Sequence, residues 1–107
     1  MILFYNVLII MKEKIVRIEK SKTKFKKYRA IVTDGKKTRI VNFGDKRYEQ
    51  FKDSTPLKLY KSLDHGDKRR RELYFMRHSG VMTKEAALKK ETGDKITPKF
   101  LAHKYLW

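Results

Sequence analysis

The 107-residue sequence contains no cysteine, and it has only two prolines, five glycines and one tryptophan. The missing cysteines exclude disulfide bonds, thiolate metal ligands and cysteine nucleophiles. Acidic residues are also scarce, with 12 Asp and Glu against 28 Lys and Arg, which gives a formal net charge of +16. Such a field attracts polyanions, and nucleic acid is the commonest polyanion in a cell. Anionic membranes and acidic protein surfaces would respond to the same field.

A long hydrophobic run is missing as well. The longest apolar stretch is MILFYNVLII at residues 1–10, about half of the roughly 20 residues that a membrane-spanning helix needs. No basic segment precedes it and no small-residue cleavage site follows, so neither a membrane span nor a signal peptide is predicted. The stretch is either an extra buried strand or an artefact of the translation start, and we favour the artefact. We therefore treat residues 11–107 as a single basic domain that is not secreted.

The first half of this domain has the pattern of a three-stranded antiparallel meander. Residues 14–20, KIVRIEK, alternate imperfectly between apolar and polar side chains, as edge strands do. Two β-rich runs at 28–33 and 38–43 are joined through Asp34 and Gly35. An Asp-Gly pair predicts a hairpin, because a tight turn needs a positive φ that glycine supplies.

The second half is typical of short helices. Ser54 or Thr55 as N-cap and Pro56 at the first helical position predict a helix up to about residue 63, with Leu57 and Tyr60 on one face. Three more helices are expected: residues 68–78 between Asp67 and Gly80, a helix from Thr83 to Gly93, and one that begins at Thr97-Pro98. The sequence therefore predicts an α+β domain, a small antiparallel meander followed by three or four short helices packed on one face.

The densest positive charge lies at residues 20–29, KSKTKFKKYR, which include six basic residues, no acidic residue and two aromatic residues. Basic residues interleaved with Phe25 and Tyr28 suit the binding of phosphates combined with stacking of bases. Alternatively, both rings face the core and the basic residues alone contact a ligand. The candidate contacts are Lys20, Lys22, Lys24, Lys26, Lys27 and Arg29.

Residues 64–80, DHGDKRRRELYFMRHSG, form the second candidate site. On a helix with about 100° per residue, Leu73 and Met76 are expected to meet the core. The arginines at the rim could then bind phosphates or carboxylates as a fork; they are Arg69, Arg70, Arg71 and Arg77. The alternative for some of these arginines is internal ion pairing, for example between Arg71 and Asp67, four residues apart.

A metal site is a weaker hypothesis. Asp64, His65 and Asp67 could hold a divalent cation for a nuclease-type reaction. The four arginines nearby would repel the metal, however, and the chain has no His-x-x-x-His pair, phosphate loop or nucleophile motif. His65 is more typical of a residue that forms hydrogen bonds in a loop, and His78 of one that packs at a helix end. We therefore expect a non-enzymatic protein without cofactor or metal.

Four short motifs carry a resemblance: NFGD at 42–45, Y..F.D at 48–53, DHGDKRRRELYFMRHSG at 64–80 and ITPKFLAHKYLW at 96–107. Together they resemble small uncharacterised basic proteins of nucleocytoplasmic large DNA viruses, the giant viruses of algae and amoebae. The resemblance covers roughly residues 28–107 and implies a viral origin, a place in the virion or viral factory, and no established activity. The matching positions are Phe43, Gly44, Asp53, Asp67, Arg70, Arg71, Tyr74, Arg77, His78, Leu106 and Trp107.

Two of these positions have structural interpretations. Gly44 is expected to need a positive φ where the last strand ends. Trp107, the single tryptophan, either docks against the core and fixes the final helix, or is presented to a partner as an anchor. We favour docking.

The sequence thus favours non-enzymatic binding of nucleic acid through its phosphates, with DNA preferred to RNA and without strong sequence specificity. The second hypothesis is a minor capsid or cement protein that uses the same basic surface on acidic virion proteins, and the third is a metal-dependent nuclease. The expected location is the virion, the viral factory or the host cytoplasm.

Overall fold

The computed structural model describes residues 12–107, so the two interpretations of residues 1–10 lie outside the described part of the chain. Three strands come first: β1 (Lys14–Lys20), β2 (Lys26–Thr33) and β3 (Thr38–Asp45). A 3₁₀ turn at Lys61–Leu63 follows, and then three helices: α1 (Lys68–Ser79), α2 (Lys84–Glu91) and α3 (Pro98–Tyr105). The predicted α+β class, a small antiparallel sheet followed by helices, is confirmed.

The β2–β3 hairpin closes at the predicted Asp-Gly pair. The strands are antiparallel, and Thr33 lies opposite Thr38 at the turn. Gly35 has a φ of +93°, and one carboxylate oxygen of Asp34 accepts hydrogen bonds of 2.8 Å from the backbone N–H groups of Lys36 and Lys37. The sheet order is β1-β2-β3, so the meander is confirmed.

A β-bulge explains the imperfect alternation of β1. Ile15 lies opposite Val32, whereas Arg17 lies opposite Ile31, so the register shifts between Ile15 and Arg17. An extra residue in one strand reverses the facing of the residues that follow. Ile15 and Ile18 consequently pack against the same core, although they are three positions apart.

The core lies between one face of the sheet and the last twelve residues. Buried side chains of β2 and β3 meet buried side chains of residues 96–106; they are Tyr28, Ala30, Val32, Val41 and Phe43 on the sheet and Ile96, Leu101 and Leu106 opposite. Helix α3 contacts β3 and α2, and α2 contacts α1. The backbone carbonyls of Tyr105 and Leu106 accept hydrogen bonds from the N–H groups of Ser54 and Lys52 at 2.8 and 3.1 Å.

The predicted helix up to residue 63 is wrong, apart from its final 3₁₀ turn. The buried carboxylate of Asp53 accepts hydrogen bonds from the Tyr28 hydroxyl at 2.5 Å, from the backbone and side chain of Thr55 at 3.0 and 2.7 Å, and from the Tyr60 N–H at 3.1 Å. Lys58 has a φ of +50°, and Leu57 is exposed. A side-chain acceptor that captures nearby N–H groups competes with helix formation, so the chain wraps around Asp53.

Burial raises the pKa of Asp53, but hydrogen bonds from Tyr28, Thr55 and Tyr60 outweigh it and leave the pKa below its ordinary value. The same pairing acts in the opposite direction on the phenol. Burial and the bond to Asp53 raise the pKa of Tyr28 to about 12. At neutral pH the charged carboxylate therefore holds residues 53–60 to the sheet.

Helix α1 has the predicted ends but not the predicted inner face. Asp67 caps it by accepting hydrogen bonds from the N–H groups of Arg69 and Arg70 at 2.9 and 3.1 Å, and Gly80 follows with a φ of +70°. The prediction that Leu73 and Met76 meet the core is wrong, since they are 47% and 46% exposed. Phe75 is fully buried in their place.

The starts of the two remaining helices are confirmed. The Thr83 hydroxyl accepts a hydrogen bond from the Ala86 N–H at 3.2 Å, and the Thr97 hydroxyl accepts one from the Phe100 N–H at 3.1 Å. Pro98 occupies the first turn of α3, where a missing N–H costs nothing. None of the helices in residues 12–107 has the length and apolar character needed to cross a bilayer.

Candidate nucleic-acid interface

A cleft of about 910 Å³ opens between the sheet end that lies away from the Asp34-Gly35 turn, the loop after β3, and helices α1 and α3. We call it the basic cleft. Besides the buried Lys27, five basic side chains from four elements line it: Lys26 from β2, Arg47 from the loop, Arg70 and Arg77 from α1, and Lys99 from α3. The carboxylates in its wall are Asp45 and Glu49.

Two of the five cations are held by these carboxylates. Arg47 donates to both oxygens of Asp45 at 3.0 and 2.7 Å, and this pairing lowers the pKa of Asp45 to about 2. Arg70 donates to Glu49 at 3.0 Å. Within residues 12–107, no carboxylate lies within 4.0 Å of the other three, which are Lys26, Arg77 and Lys99. The cleft therefore keeps a surplus of positive charge.

The positive charges of the cleft affect the pKa of His78. Burial lowers the pKa of His78, and the charges of Arg77 and Lys99 lower it further. Lys99 also donates a hydrogen bond of 3.1 Å to the His78 carbonyl, which fixes α3 against the end of α1. A positive charge on the imidazole is therefore disfavoured in the free protein.

Aromatic rings form the floor of the cleft. The ring of Trp107 stacks on Tyr74 with centroids 4.1 Å apart, and the centroid of His78 lies 4.5 Å from that of Tyr74. The Tyr74 hydroxyl and Nδ1 of the buried His103 are 3.0 Å apart, which fixes the tyrosine. Docking of Trp107 is thus confirmed, and the docked ring still lines the cleft.

Gly44 allows the floor to close. Its φ is +77°, as predicted, and an added Cβ would lie 2.8 Å from Cδ1 of Leu106 and 3.2 Å from Cβ of Lys27. Both distances are shorter than ordinary van der Waals contact. Glycine therefore permits Leu106 to pack directly on the end of β3.

Two exposed aromatic residues stand at the edge of the cleft. Phe25 is 41% exposed and Tyr48 is 65% exposed. The guanidinium carbon of Arg47 lies 4.4 Å from the ring centroid of Phe25 and 5.8 Å from that of Tyr48. We call Phe25, Arg47 and Tyr48 the aromatic rim. Of the two interpretations of residues 20–29, burial is correct for Tyr28, whereas Phe25 faces solvent.

The structure brings together only part of the predicted basic site. Lys26, Arg70 and Arg77 converge in the basic cleft. Six other predicted residues do not line it: Lys20, Lys22, Lys24, Arg29, Arg69 and Arg71. Of these, Lys24 lies at the aromatic rim, with its ammonium 5.0 Å from the ring centroid of Phe25. The prediction that Lys27 contacts a ligand at the surface is wrong. Its side chain is 2% exposed, and its ammonium donates hydrogen bonds to the Tyr48 carbonyl and the Gln50 side chain. These hydrogen bonds hold the loop to β2, so Lys27 is not a surface contact. Burial also lowers the pKa of Lys27.

The remaining predicted arginines have internal partners. Arg29 lies 2.8 Å from Glu19, and Arg69 lies 4.0 Å from Glu72. The predicted pair of Arg71 with Asp67 is wrong. The Arg71 guanidinium carbon instead lies 4.2 Å from the ring centroid of Phe51, and the Asp67 carboxylate caps α1.

Of the three proposed metal ligands, Asp67 caps α1, and the other two form hydrogen bonds within the loops. Asp64 accepts hydrogen bonds of 2.7 Å from the Gln50 side chain and from the Asp53 N–H. His65 accepts one of 2.9 Å from the Asp67 N–H, as predicted for a loop histidine. Across residues 12–107, no three His, Cys, Asp or Glu side chains form a group that could hold a metal ion.

Sequence reasoning missed Arg47, Tyr48 and Lys99. The adjacent basic and aromatic residues at 46–48 are the same kind of signal as residues 20–29, so the first two could have been found. Lys99 carries no such signal, because its place in the cleft depends on how α3 packs against β3.

Residues 16–62 match a family model whose description is "Family of unknown function (DUF5754)". The matched range contains the aromatic rim, β2 and β3, but not the helices that supply Arg70, Arg77 and Lys99. No curated protein and no solved structure matches the chain. The resemblance to giant-virus proteins stays a prediction.

Proposed function

We propose that the protein binds nucleic acid through its backbone phosphates, without enzymatic activity, and that the basic cleft is the binding site. The observation that carries this proposal is the convergence of Lys26, Arg77 and Lys99 on one concave surface, with no carboxylate of residues 12–107 within 4.0 Å of any of the three. Phosphate contacts from such side chains supply most of the sequence-independent affinity for nucleic acid.

The charge balance of the fold supports the same proposal. Of the 28 basic residues, seven lie within 4.0 Å of a carboxylate in residues 12–107. Several carboxylates bind backbone N–H groups instead, as Asp34 does in the hairpin and Asp67 does at α1. Internal ion pairing therefore leaves most of the positive charge available to an external polyanion.

The test is a salt titration of oligonucleotide binding, followed by fluorescence anisotropy from about 50 to about 200 mM salt. The affinity should fall steeply, since bound cations release counterions from the phosphates. Replacing Lys26, Arg77 and Lys99 with alanine should reduce the steepness of the plot of log affinity against log salt concentration. The slope should become shallower by about two to three.

The matched control is a variant that removes three positive charges at positions outside the cleft. Lys36, Lys37 and Lys89 are exposed and do not line the cleft. Their triple alanine variant should keep the wild-type salt dependence. The proposal fails if the two triple variants lose affinity equally, or if the wild-type protein shows no binding that depends on salt.

The viral setting is part of the proposal and draws on the motif resemblance. A phosphate-binding protein of a DNA virus would be recovered with the genome, from virions or from the viral factory. Fractionation of disrupted virions tests this setting: copies should follow the genome and leave it when salt is raised.

One observation favours the cement hypothesis as a second candidate. Leu73 and Met76 are exposed on α1, the helix that also carries Arg69, Arg70 and Arg77. Apolar residues beside cations suit an acidic protein surface with an apolar centre. Stoichiometric copies in the shell that detach after Leu73→Ser and Met76→Ser would favour cement over genome binding.

A further inference from the structure

Phe25 adopts a backbone conformation that is costly for a bulky residue. Its φ is +69°, in the left-handed region that favours glycine. The surrounding hydrogen bonds hold it there: the Phe25 carbonyl accepts from the Lys46 N–H at 2.7 Å, and the Lys26 N–H donates to the Thr23 carbonyl at 3.1 Å. The strained position does not bury the ring, which is 41% exposed. Strain without a packing gain is a reason to look for a function.

Arg47 joins this ring to Tyr48. Its guanidinium is held by both oxygens of Asp45 at 3.0 and 2.7 Å, and it contacts the rings of both Phe25 and Tyr48. The side chain most exposed to solvent in this rim is Tyr48. A fixed guanidinium beside two solvent-facing rings is a platform on which planar groups can stack.

We propose that the aromatic rim stacks unpaired bases while the basic cleft binds the adjoining phosphates, so that the ligand is single-stranded nucleic acid in preference to duplex. This inference rests on the proposed function and specifies its ligand. The base faces of a duplex are covered by their neighbours, whereas those of a single strand are free to stack on aromatic side chains.

The shape of the cleft agrees with a single strand. Its volume of about 910 Å³ falls within the range of about 300–1,000 Å³ that is typical of small-molecule sites. Such a concave site admits a flexible strand of a few nucleotides. A protein that reads a duplex through its major groove needs a projecting element instead of a concave site, namely a helix or a β-ribbon that enters the groove.

The experiment compares a single strand of about 12 nucleotides with a blunt duplex of the same sequence at one salt concentration. Wild-type protein should bind the single strand more tightly. Tyr48→Ala should weaken binding to the single strand by about 5- to 150-fold, the effect typical of one lost base stack, and should leave duplex binding within about twofold. Tyr48→Phe, which keeps the ring, should bind as the wild type does.

Phe25→Asn provides a second variant that keeps the fold, because asparagine tolerates a positive φ better than most residues. It should also weaken binding to the single strand alone. Leu57→Ala is the matched control, since Leu57 is 42% exposed and lies outside the cleft. Circular dichroism should show the wild-type fold for all these variants.

The outcomes separate this inference from the proposed function. Equal binding of duplex and single strand, or single-strand binding unaffected by Tyr48→Ala and Phe25→Asn, would overturn the inference. The proposed function would still stand if the cleft triple variant weakened binding to both ligands. An acidic peptide that binds as tightly as the oligonucleotide, with the same dependence on Tyr48, would also overturn the inference.

Discussion

The ring of Trp107 lies parallel to that of Tyr74, with an interplanar angle of 3° and a centroid distance of 4.1 Å. The stack joins the segment after α3 to α1 and forms the floor of the basic cleft. A side chain near the end of the chain thereby fixes the distance between the two helices that supply Arg70, Arg77 and Lys99. This one contact links the stability of the fold to the shape of the proposed site.

Trp107 is expected to report ligand binding. It is the only tryptophan in the sequence and it lines the cleft, so an oligonucleotide bound there should change its emission intensity. The change should saturate at the same concentration as the anisotropy signal. The cleft triple variant should shift both curves to higher concentration. An unchanged emission at saturating ligand would place the binding site elsewhere.

The pKa of His78 is expected to rise when phosphates occupy the cleft. In the free protein it is lowered by burial and then by Arg77 and Lys99, and bound phosphate would offset both cations. Binding would then take up protons, so affinity should increase as the pH falls through the pKa of the bound form. The pKa follows from the shift of the imidazole proton signals in a pH titration with and without oligonucleotide.

The control for this prediction is His78→Gln. The variant keeps a polar side chain at the end of α1 but has no group that titrates near neutral pH. Its affinity should lose the part of the pH dependence that the NMR titration assigns to His78. An identical pH profile in both proteins would rule out coupling between His78 and the bound anion.

Gly44→Ala is expected to destabilise the fold by about 1–3 kcal/mol. The new Cβ would lie 2.8 Å from Leu106, and alanine would have to adopt a φ of +77°. Urea denaturation followed by circular dichroism measures the loss. Gly93→Ala is the matched control, because its added Cβ meets no atom within 4 Å; its effect should stay within about 0.5 kcal/mol.

Stability is expected to fall between about pH 6.5 and pH 4 because of His103. This side chain is fully buried, and burial lowers its pKa to about 4. The unfolded chain therefore binds more protons than the folded one in this window, and the free energy of unfolding decreases as the pH falls, by up to about 3 kcal/mol.

The contacts of His103 fit the neutral ring. Nε2 lies 2.8 Å from the Ser79 hydroxyl, and that hydroxyl donates to Glu91 at 3.1 Å. Nδ1 then accepts from the Tyr74 hydroxyl. His103→Gln, which cannot titrate, should flatten the stability profile over this window in urea denaturation. A variant as sensitive to acid as the wild type would assign the loss to other groups.

Local signals made the fold predictable. The Asp34-Gly35 turn and the caps Asp67, Thr83 and Thr97 act within a few residues, and all four lie where the sequence indicates. The helix expected at 54–63 is absent, apart from its final 3₁₀ turn, because Asp53 accepts hydrogen bonds from the N–H groups of Thr55 and Tyr60, and a long-range contact adds to this effect. Tyr28, 25 residues away, donates to Asp53 and helps to hold the loop against the sheet.

The site was predictable only in part, for the same reason. Lys26, Arg70 and Arg77 have the residue type and exposure of ligand contacts, and they do line the cleft. The burial of Lys27 depends on the carbonyl of Tyr48 and the side chain of Gln50, which the loop brings over β2. The cleft forms only when a strand, a loop and two helices come together in the folded protein. The density of charge along the sequence does not predict that arrangement.

Because Leu106 is synthesised long after the strands, the hydrophobic core can close only late in the synthesis of the chain. Residues 14–45 leave the ribosome well before Leu101 and Leu106, yet those two leucines cover Tyr28 and Phe43 in the finished core. A nascent chain that has made only the sheet therefore presents an uncovered apolar surface next to a dense basic segment. Chaperones or premature contact with RNA would compete for that surface until the last helix arrives.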